Sequence, residues 1–276
     1  MAKDPGVGGV RSLQRALDVL EAVAFSGEEL GVTQIAERVK VTKGAVHRHL
    51  LTLVERGYLT QNQATARYGI GSKSRLLARL APAPDLVKLA EGLMRDLRNT
   101  LGQSVVLSSM TPRGALVMLT ISGTSPIEIG VRPGSELPFH ASAQGKVLLA
   151  FAAPAVQKRL LASPRRRMTD KTVIDSASIE REFAQIVRAG YAVAPEQALL
   201  GLNAIAVPIF DESDACVAAV AVVGSIQFLP EQPSATMIRA LKRCGQEISR
   251  ALGNVRHAGQ AARAAIDPIT VKRKAG

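Results

Sequence analysis

Apolar residues recur at helical spacing through the first quarter of the chain. Leu13, Ala16, Leu17, Leu20, Val23 and Ala24 predict an amphipathic helix, opened by Ser12 as N-cap and ended at Ser26-Gly27. Ile35 and Val39 predict a second helix with Thr33 as its cap. Val46, Leu50, Leu53 and Val54 predict a third, capped by Thr42 and closed before Gly57. Two short runs, 58–61 and 67–70, are joined by the polar stretch 62–66 and read as a β-hairpin. Three helices and a hairpin have the layout of a winged helix-turn-helix. A surface helix needs one buried stripe only. The opposite face of the third helix is therefore free, and it carries Lys43, Gly44, His47, Arg48 and Thr52. These side chains include cations and hydrogen-bond donors of the kinds that contact phosphates and base edges. His47 is otherwise a passive exposed histidine, and His49 lies nearer the core side in a packing role. Arg67, in the wing, is placed to reach a phosphate or the minor groove. Arg15 either braces the first helix against a phosphate or pairs with Asp18 or Glu21.

The pattern then changes. Residues 72–80 predict a short linker helix, broken by Ala81-Pro82-Ala83-Pro84 because each proline pushes its predecessor out of helical conformation. Residues 85–101 resume as an amphipathic helix. Strands are expected at 105–110, 116–121, 127–131, 191–194, 204–210 and 217–223, and helices at 145–152, 179–189 and 237–255. In the 179–189 helix, Ile179, Phe183, Ile186 and Val187 are expected to face inward. Neighbouring strands in succession argue for an antiparallel sheet with helices packed on it, an α+β domain. The expected divisions are a winged helix-turn-helix at 1–71, a linker at 72–84, an α+β domain at 85–256, and a disordered basic tail at 257–276.

Charge sharpens this picture. Of 276 residues 47% are apolar, enough for two folded domains, and the net charge is +12. Such a balance favours polyanionic partners. Between Thr42 and Arg75 the cations are Lys43, Arg48, Arg56, Arg67, Lys73 and Arg75, against Glu55 as the one acid. Arg165, Arg166 and Arg167 form a second basic run, read as a solvated surface loop, with contact to DNA as the alternative. Cys216 and Cys244 lack any CxxC or Cys/His setting and read as reduced core thiols. The start of the chain, 1–10, lacks an apolar run, and the longest apolar stretch, 215–223, is too short to cross a bilayer. A cytoplasmic protein with no membrane partner is expected. No metal-ligand cluster, Ser-His-Asp set or phosphate loop is present in the sequence, so neither a cofactor nor an enzyme is expected. Lys146 and Cys244 are the nucleophiles an enzyme reading would have to use; Lys146 is expected to start a helix with its amine in solvent.

Several separated motifs, in order, then resemble one family. They are SLQRAL (12–17), KGAVHRHLLTLVERGYL (43–59), RYGIG (67–71), LPFHASAQGKVLLA (137–150), RAGYAV (188–193) and the stretch 201–211 ending in PIFD. The chain is similar along nearly its whole length to the IclR family of bacterial transcriptional regulators. The resemblance implies a winged helix that binds double-stranded DNA, a GAF-like effector domain, and a homodimer or dimer of dimers. The family usually has two hydroxyl residues after the lysine of the third helix; here they are Gly44 and Ala45, which should alter operator choice. In relatives that bind small keto or hydroxy acids, backbone N–H groups before the Gly-Lys hold the carboxylate. Those map to Ala143 and Gln144, with Gly145 starting the helix. The remaining polar contacts of the family, an Asp, a Cys and two Ser, map to Ala194, Ala204, Ala221 and Val223, and the Glu that follows the Asp is Gln197. Arg132 and His140 are candidate supporting cations; the alternative is a surface residue beside a turn and a satisfied loop histidine. A pocket so stripped of polar side chains fits a hydrophobic or aromatic carboxylate, or else it is vestigial and regulation is ligand-independent.

Overall fold

The computed structural model describes residues 10–80, 85–126 and 129–254. The chain forms two compact units, Met1–Ala83 and Pro84–Gly276. The first contains α1 (Arg11–Ala24), α2 (Val32–Val39), α3 (Lys43–Glu55), the hairpin β1 (Leu59–Gln61) and β2 (Tyr68–Ile70), and α4 (Ser72–Arg79). It is the expected winged helix-turn-helix. The tight turn between α2 and α3 passes through Lys40 in the left-handed region, φ 54°. Thr42 then caps α3, its Oγ1 accepting from the Ala45 N–H at 3.4 Å. Leu30, Ile35, Val46 and Leu50 are fully buried together with Val19 of α1. In the wing, the Asn62 side-chain carbonyl accepts from Ala64 and Thr65 and shapes the turn.

Two expected caps are displaced. Val10, not Ser12, precedes α1, and Ser12 lies in its first turn. Gly31, not Thr33, precedes α2, because Gln34 reaches back to accept the Gly31 N–H at 3.0 Å and the helix starts earlier. The buried stripe of α1 also differs: Val19 and Val23 are buried, while Leu13 and Leu17 are 58% and 45% exposed. The α2–α3–hairpin layer is short, so it covers only the C-terminal half of α1.

In the second unit six antiparallel strands run in the order β5-β4-β3-β8-β7-β6. They are β3 (Ser104–Met110), β4 (Ala115–Ile121), β5 (Glu136–Leu137), β6 (Ala192–Val193), β7 (Leu202–Phe210) and β8 (Cys216–Ser225). Side chains alternate across the sheet. Val105, Leu107, Ile205, Val207, Val220 and Val222 pack on one face against α5 (Leu86–Leu101) and α9 (Ala235–Ala251). Ala206, Ala219 and Ala221 turn to the other face, where α6 (Ala143–Ala150) and α8 (Ser176–Ala189) pack, with α7 (Pro154–Leu161) beyond. This helix–sheet–helix α+β arrangement is the effector-domain fold the sequence points to. Small residues on the second face let α6 approach the sheet closely.

The strand expected at 127–131 is absent over its described part, 129–131, and residues 127 and 128 lie outside the described set. The carbonyls of Ile129 and Val131 accept from the hydroxyls of Ser104 and Thr120, which lays this segment beside the sheet rather than in it. The edge strand is β5 instead, paired with Ala115 and Leu116. The sequence reading assigns no helix where α7 forms. α8 begins three residues early because Asp175 accepts the Ser178 N–H at 2.8 Å, and Val187, expected inside, is 49% exposed. Ser234 caps α9 ahead of the expected start, and the helix ends at Ala251. The Pro-rich break and the expected basic tail lie outside the described residues.

Candidate DNA-reading face and effector pocket

On α3 the core stripe points inward and leaves one polar face. Lys43, Gly44, His47, Arg48 and Thr52 are all exposed, and His49 is half-buried. The Thr52 hydroxyl donates to the Arg48 carbonyl of its own helix at 3.3 Å. One apolar side chain missed by the sequence reading stands on the same face: Leu51, 56% exposed. Arg15, Thr33 and Thr42 are exposed as well. Arg67 is exposed on the wing, and one nitrogen of its guanidinium donates to the Glu29 carbonyl at 3.3 Å. That contact steadies the side chain against the turn before α2.

In the second unit Ala143, Ala194, Ala204, Ala221 and Val223 lie in or against two adjoining buried clusters. Ala194 N–H donates to the Ala204 carbonyl at 3.0 Å, and Ala204 pairs with Val223 across β7 and β8. Ala206 pairs with Ala221 two residues along. Ala143, Ala194 and Ala221 share one buried cluster, and Val223 joins Val106, Val117, Ile129 and Val131 in the adjoining one. Ala204 packs on both clusters. A cleft of about 410 Å³ reaches Val223 from the end of the sheet, bordered by Gln103, Ser104, Ile129, Gln227 and Phe228.

The first turn of α6 differs from expectation. Ser142 is the N-cap, its hydroxyl accepting the Gly145 N–H at 3.1 Å, so the helix begins at Ala143 rather than Gly145. Ala143 and Gln144 are thus the first two helical residues. Their N–H groups are of the kind that intrahelical bonding leaves over, at the end of the helix dipole that favours an anion. Gly145 is demanded by space: a Cβ there would lie 2.7 Å from the Phe139 Cα and the Pro138 carbonyl oxygen. The Gln144 side chain is 1% exposed in a residue that sequence reading valued only for its main chain, and its Nε2 has no hydrogen-bond partner. The Gln197 Oε1 and the Ser108 hydroxyl, both also on buried residues, are likewise unpaired.

Lys146 corrects the reading most sharply. Its side chain is not in solvent but fully buried, with its ammonium 2.6 Å from a Glu182 carboxylate oxygen of α8. Burial pushes its pKa below the ordinary lysine value, opposed by the Glu182 charge and hydrogen bond. All eight residues of α6 are buried, so the side chain after Gly145 is enclosed by protein and meets water only through its Glu182 partner. Two residues earlier, at about 100° per residue, Gln144 projects from the side of α6 turned away from that ion pair.

Arg132 is exposed, and its carbonyl accepts the Ser135 N–H in the turn. The His140 ring meets the Arg166 carbonyl at 2.9 Å and borders a different cleft, with Phe139, Leu160 and Arg166. Burial holds its pKa below the ordinary imidazole value, helped by the charges of Arg165 and Lys146 and opposed by the Arg166 carbonyl. His140 is therefore neutral near pH 7. Arg165 is not solvated: it bonds the Ile174 carbonyl at 2.8 Å and the Ser176 hydroxyl at 2.6 Å and braces the segment before α8. Arg166 and Arg167 are exposed. Both cysteines are free, and burial pushes each thiol up to about 12, far from a reactive thiolate. Among the described residues no group of three His, Cys, Asp or Glu is arranged to hold a metal, and no helix is long and apolar enough to cross a membrane.

Comparison with known proteins agrees with both halves. Residues 12–63 match the IclR helix-turn-helix domain, and residues 79–250 match the bacterial transcriptional regulator IclR C-terminal family. The HTH-type transcriptional regulator BhcR of Paracoccus denitrificans is 32% identical over 257 residues, covering 92% of each chain. The glycerol operon regulatory protein of Streptomyces coelicolor is 31% identical over 248 residues, 88% of this chain and 97% of that protein. Among solved structures, an IclR homolog from Microbacterium hydrocarbonoxydans complexed with 4-hydroxybenzoate superposes with a TM-score of 0.72 at 26% identity, covering 88% of this chain and 99% of that one. The exposed cationic helix, the antiparallel effector domain and these matches together make this chain a member of the IclR family of DNA-binding transcriptional regulators.

Proposed function

We propose that this regulator responds to an apolar or aromatic carboxylate, held at the first turn of α6 and enclosed by the alanine and valine face of the sheet. The observation that carries this reading is the combination at that turn. Two main-chain N–H groups, of Ala143 and Gln144, and the buried, unpartnered Gln144 Nε2 offer up to three donors to one anion. An unpaired buried donor costs about 1–3 kcal/mol, and a carboxylate removes that cost. The facing wall, Ala194, Ala204, Ala221 and Val223, offers no side-chain polar group. A small hydroxy or keto acid would leave its own polar atoms unpaired there, at about 1–3 kcal/mol each. The 4-hydroxybenzoate held by the Microbacterium hydrocarbonoxydans relative supports an aromatic acid in this fold.

Residues 1–71 supply the DNA-reading unit, with Arg15, Thr33, Thr42, Lys43, Gly44, His47, Arg48, Thr52 and Arg67 facing the duplex. Residues 85–256 supply the effector-receiving unit, and 72–84 connect them. The protein acts in the cytoplasm as a homodimer or dimer of dimers. The exposed Leu13 and Leu17 of α1, and Leu76, Leu77 and Leu80 at α4, suit self-association. A dimer sets two recognition helices about 34 Å apart in successive major grooves. Ligand changes operator affinity only through unequal affinity for two arrangements of the dimer.

Titration calorimetry of the full chain tests the effector reading. Benzoate-type acids bind and shift operator affinity, whereas glyoxylate and pyruvate bind at least tenfold more weakly; Gln144→Leu lowers benzoate affinity by about tenfold, the weight of one hydrogen bond to a charged group. Tight glyoxylate binding overturns the reading. Operator affinity indifferent to every acid favours the second reading, a ligand-independent regulator with a vestigial pocket, which the apolar side chains at Ala194, Ala204, Ala221 and Val223 support.

A further inference from the structure

Leu51 occupies a position where a leucine serves no internal purpose. At about 100° per residue, Gly44, His47, Arg48 and Leu51 fall within roughly a 100° arc of α3, and Val46, Leu50 and Leu53 occupy the opposite side. The burial pattern agrees: the second set is buried and the first is exposed. Leu51 is 56% exposed one turn beyond His47, in the middle of the face that carries Arg48, and it belongs to none of the buried clusters or their partly buried margins. Gly44, one residue into the same arc, is equally unexplained by packing. A Cβ built on it would meet nothing within 4 Å. A glycine in a helix costs stability relative to alanine, so its presence has no internal benefit. A missing side chain at the first turn does let the helix backbone lie closer to whatever it faces.

We propose that Leu51 reads the C5-methyl group of a thymine in the major groove, and that Gly44 permits the close approach this contact needs. The major-groove edge of each base pair is otherwise a pattern of donors and acceptors, and the thymine methyl is the one apolar feature it offers. Cations on either side, Lys43 and Arg48, draw the helix to a polyanion, which fixes the occupant of this face as nucleic acid rather than an apolar protein surface. The contact adds base choice to a helix whose remaining outward side chains favour phosphates and polar base edges. It rests on α3 being the helix that enters the groove, which the Lys43 and Arg48 variants below test separately.

The test uses the full chain. Duplexes are enriched from a random pool, and each thymine of the preferred site is replaced singly by uracil, which removes only the methyl. One thymine in each half-site, under the third turn of α3, should lose about fourfold in affinity on replacement, the weight of one buried methyl. In Leu51→Ala that penalty should vanish, with binding otherwise retained, and melting should stay within a degree or two because the side chain lies outside the core. Failure to enrich any duplex, no thymine sensitive to uracil, or a Leu51→Ala chain with the full uracil penalty overturns the proposal.

Discussion

α3 and α6 handle charge in opposite ways. On α3, Lys43 and Arg48 stand in water on the face away from the core. On α6 all eight residues are buried, and the single cation, Lys146, meets Glu182 at 2.6 Å. A charge in water acts at a distance, collectively, and is screened by salt within about 10 Å. A charge sealed in the interior acts on its immediate partner, and is costly without one. The first arrangement suits attraction to a polyanion. The second holds α6 against α8 and leaves the first turn of α6 as an electrostatic feature made of main-chain dipoles rather than side-chain ions.

The contrast gives its largest consequence in the interior. Glu182→Ala strands a fully buried ammonium and should lower unfolding free energy by about 3 kcal/mol. Lys146→Met removes the charge at similar volume and should cost less than about 1 kcal/mol, since Glu182 is 24% exposed and can turn to water. Urea unfolding of both variants decides it; equal losses would mean that the buried pair is not what distinguishes α6. On the outer helix, Lys43→Ala with Arg48→Ala should leave unfolding unchanged while operator affinity falls about a hundredfold and its slope against salt becomes shallower by about two. Fluorescence anisotropy across a salt series measures both quantities, and retained affinity would remove the cationic face from DNA binding. The smallest effect concerns a buried thiol. Cys244 ordinarily ionises near 9.0 and is pushed up to about 12 by burial. The folded state keeps a proton that the unfolded chain releases, so this stabilisation is whole below pH 9 and declines as pH rises toward about 12, by roughly 1.4 kcal/mol per unit. Cys244→Ala should show a flatter decline than the parent between pH 9 and about pH 10.5.

The two helices were also unequally legible. The recognition face of α3 could be read from spacing because its neighbours on the winged unit are few, so apolar means inside and polar means outside. Lys43, His47, Arg48 and Thr52 stand where periodicity puts them, and Thr42 caps as its side chain dictates. Leu51 escaped notice because a leucine at that spacing resembles one more core residue. α6 has no such contrast. The sheet, α8 and the 138–139 segment cover it on every side, so burial there is set by tertiary packing and not by residue type, and a lysine ends up dry. Leu13 and Leu17 failed for the converse reason: their period is helical, but no layer of the described unit extends over them. Ser12 and Thr33 are good caps by chemistry. Local competitors decided otherwise: Gln34 folds back on Gly31, and Val10 already lies extended ahead of α1.

Adjacent positions at the start of α6 have very different latitude. The Pro138 carbonyl and the Phe139 Cα stand 2.7 Å from where any substituent on residue 145 would begin, so even one added methyl would lever the turn off its seat. Residue 144 is equally buried, but its side chain ends in an amide nitrogen that nothing claims. A library randomised over both sites should return glycine alone at 145 and side chains of about glutamine's size, with varied polar ends, at 144, which makes 144 the place where a new inducer could be installed without rebuilding the cradle beneath it.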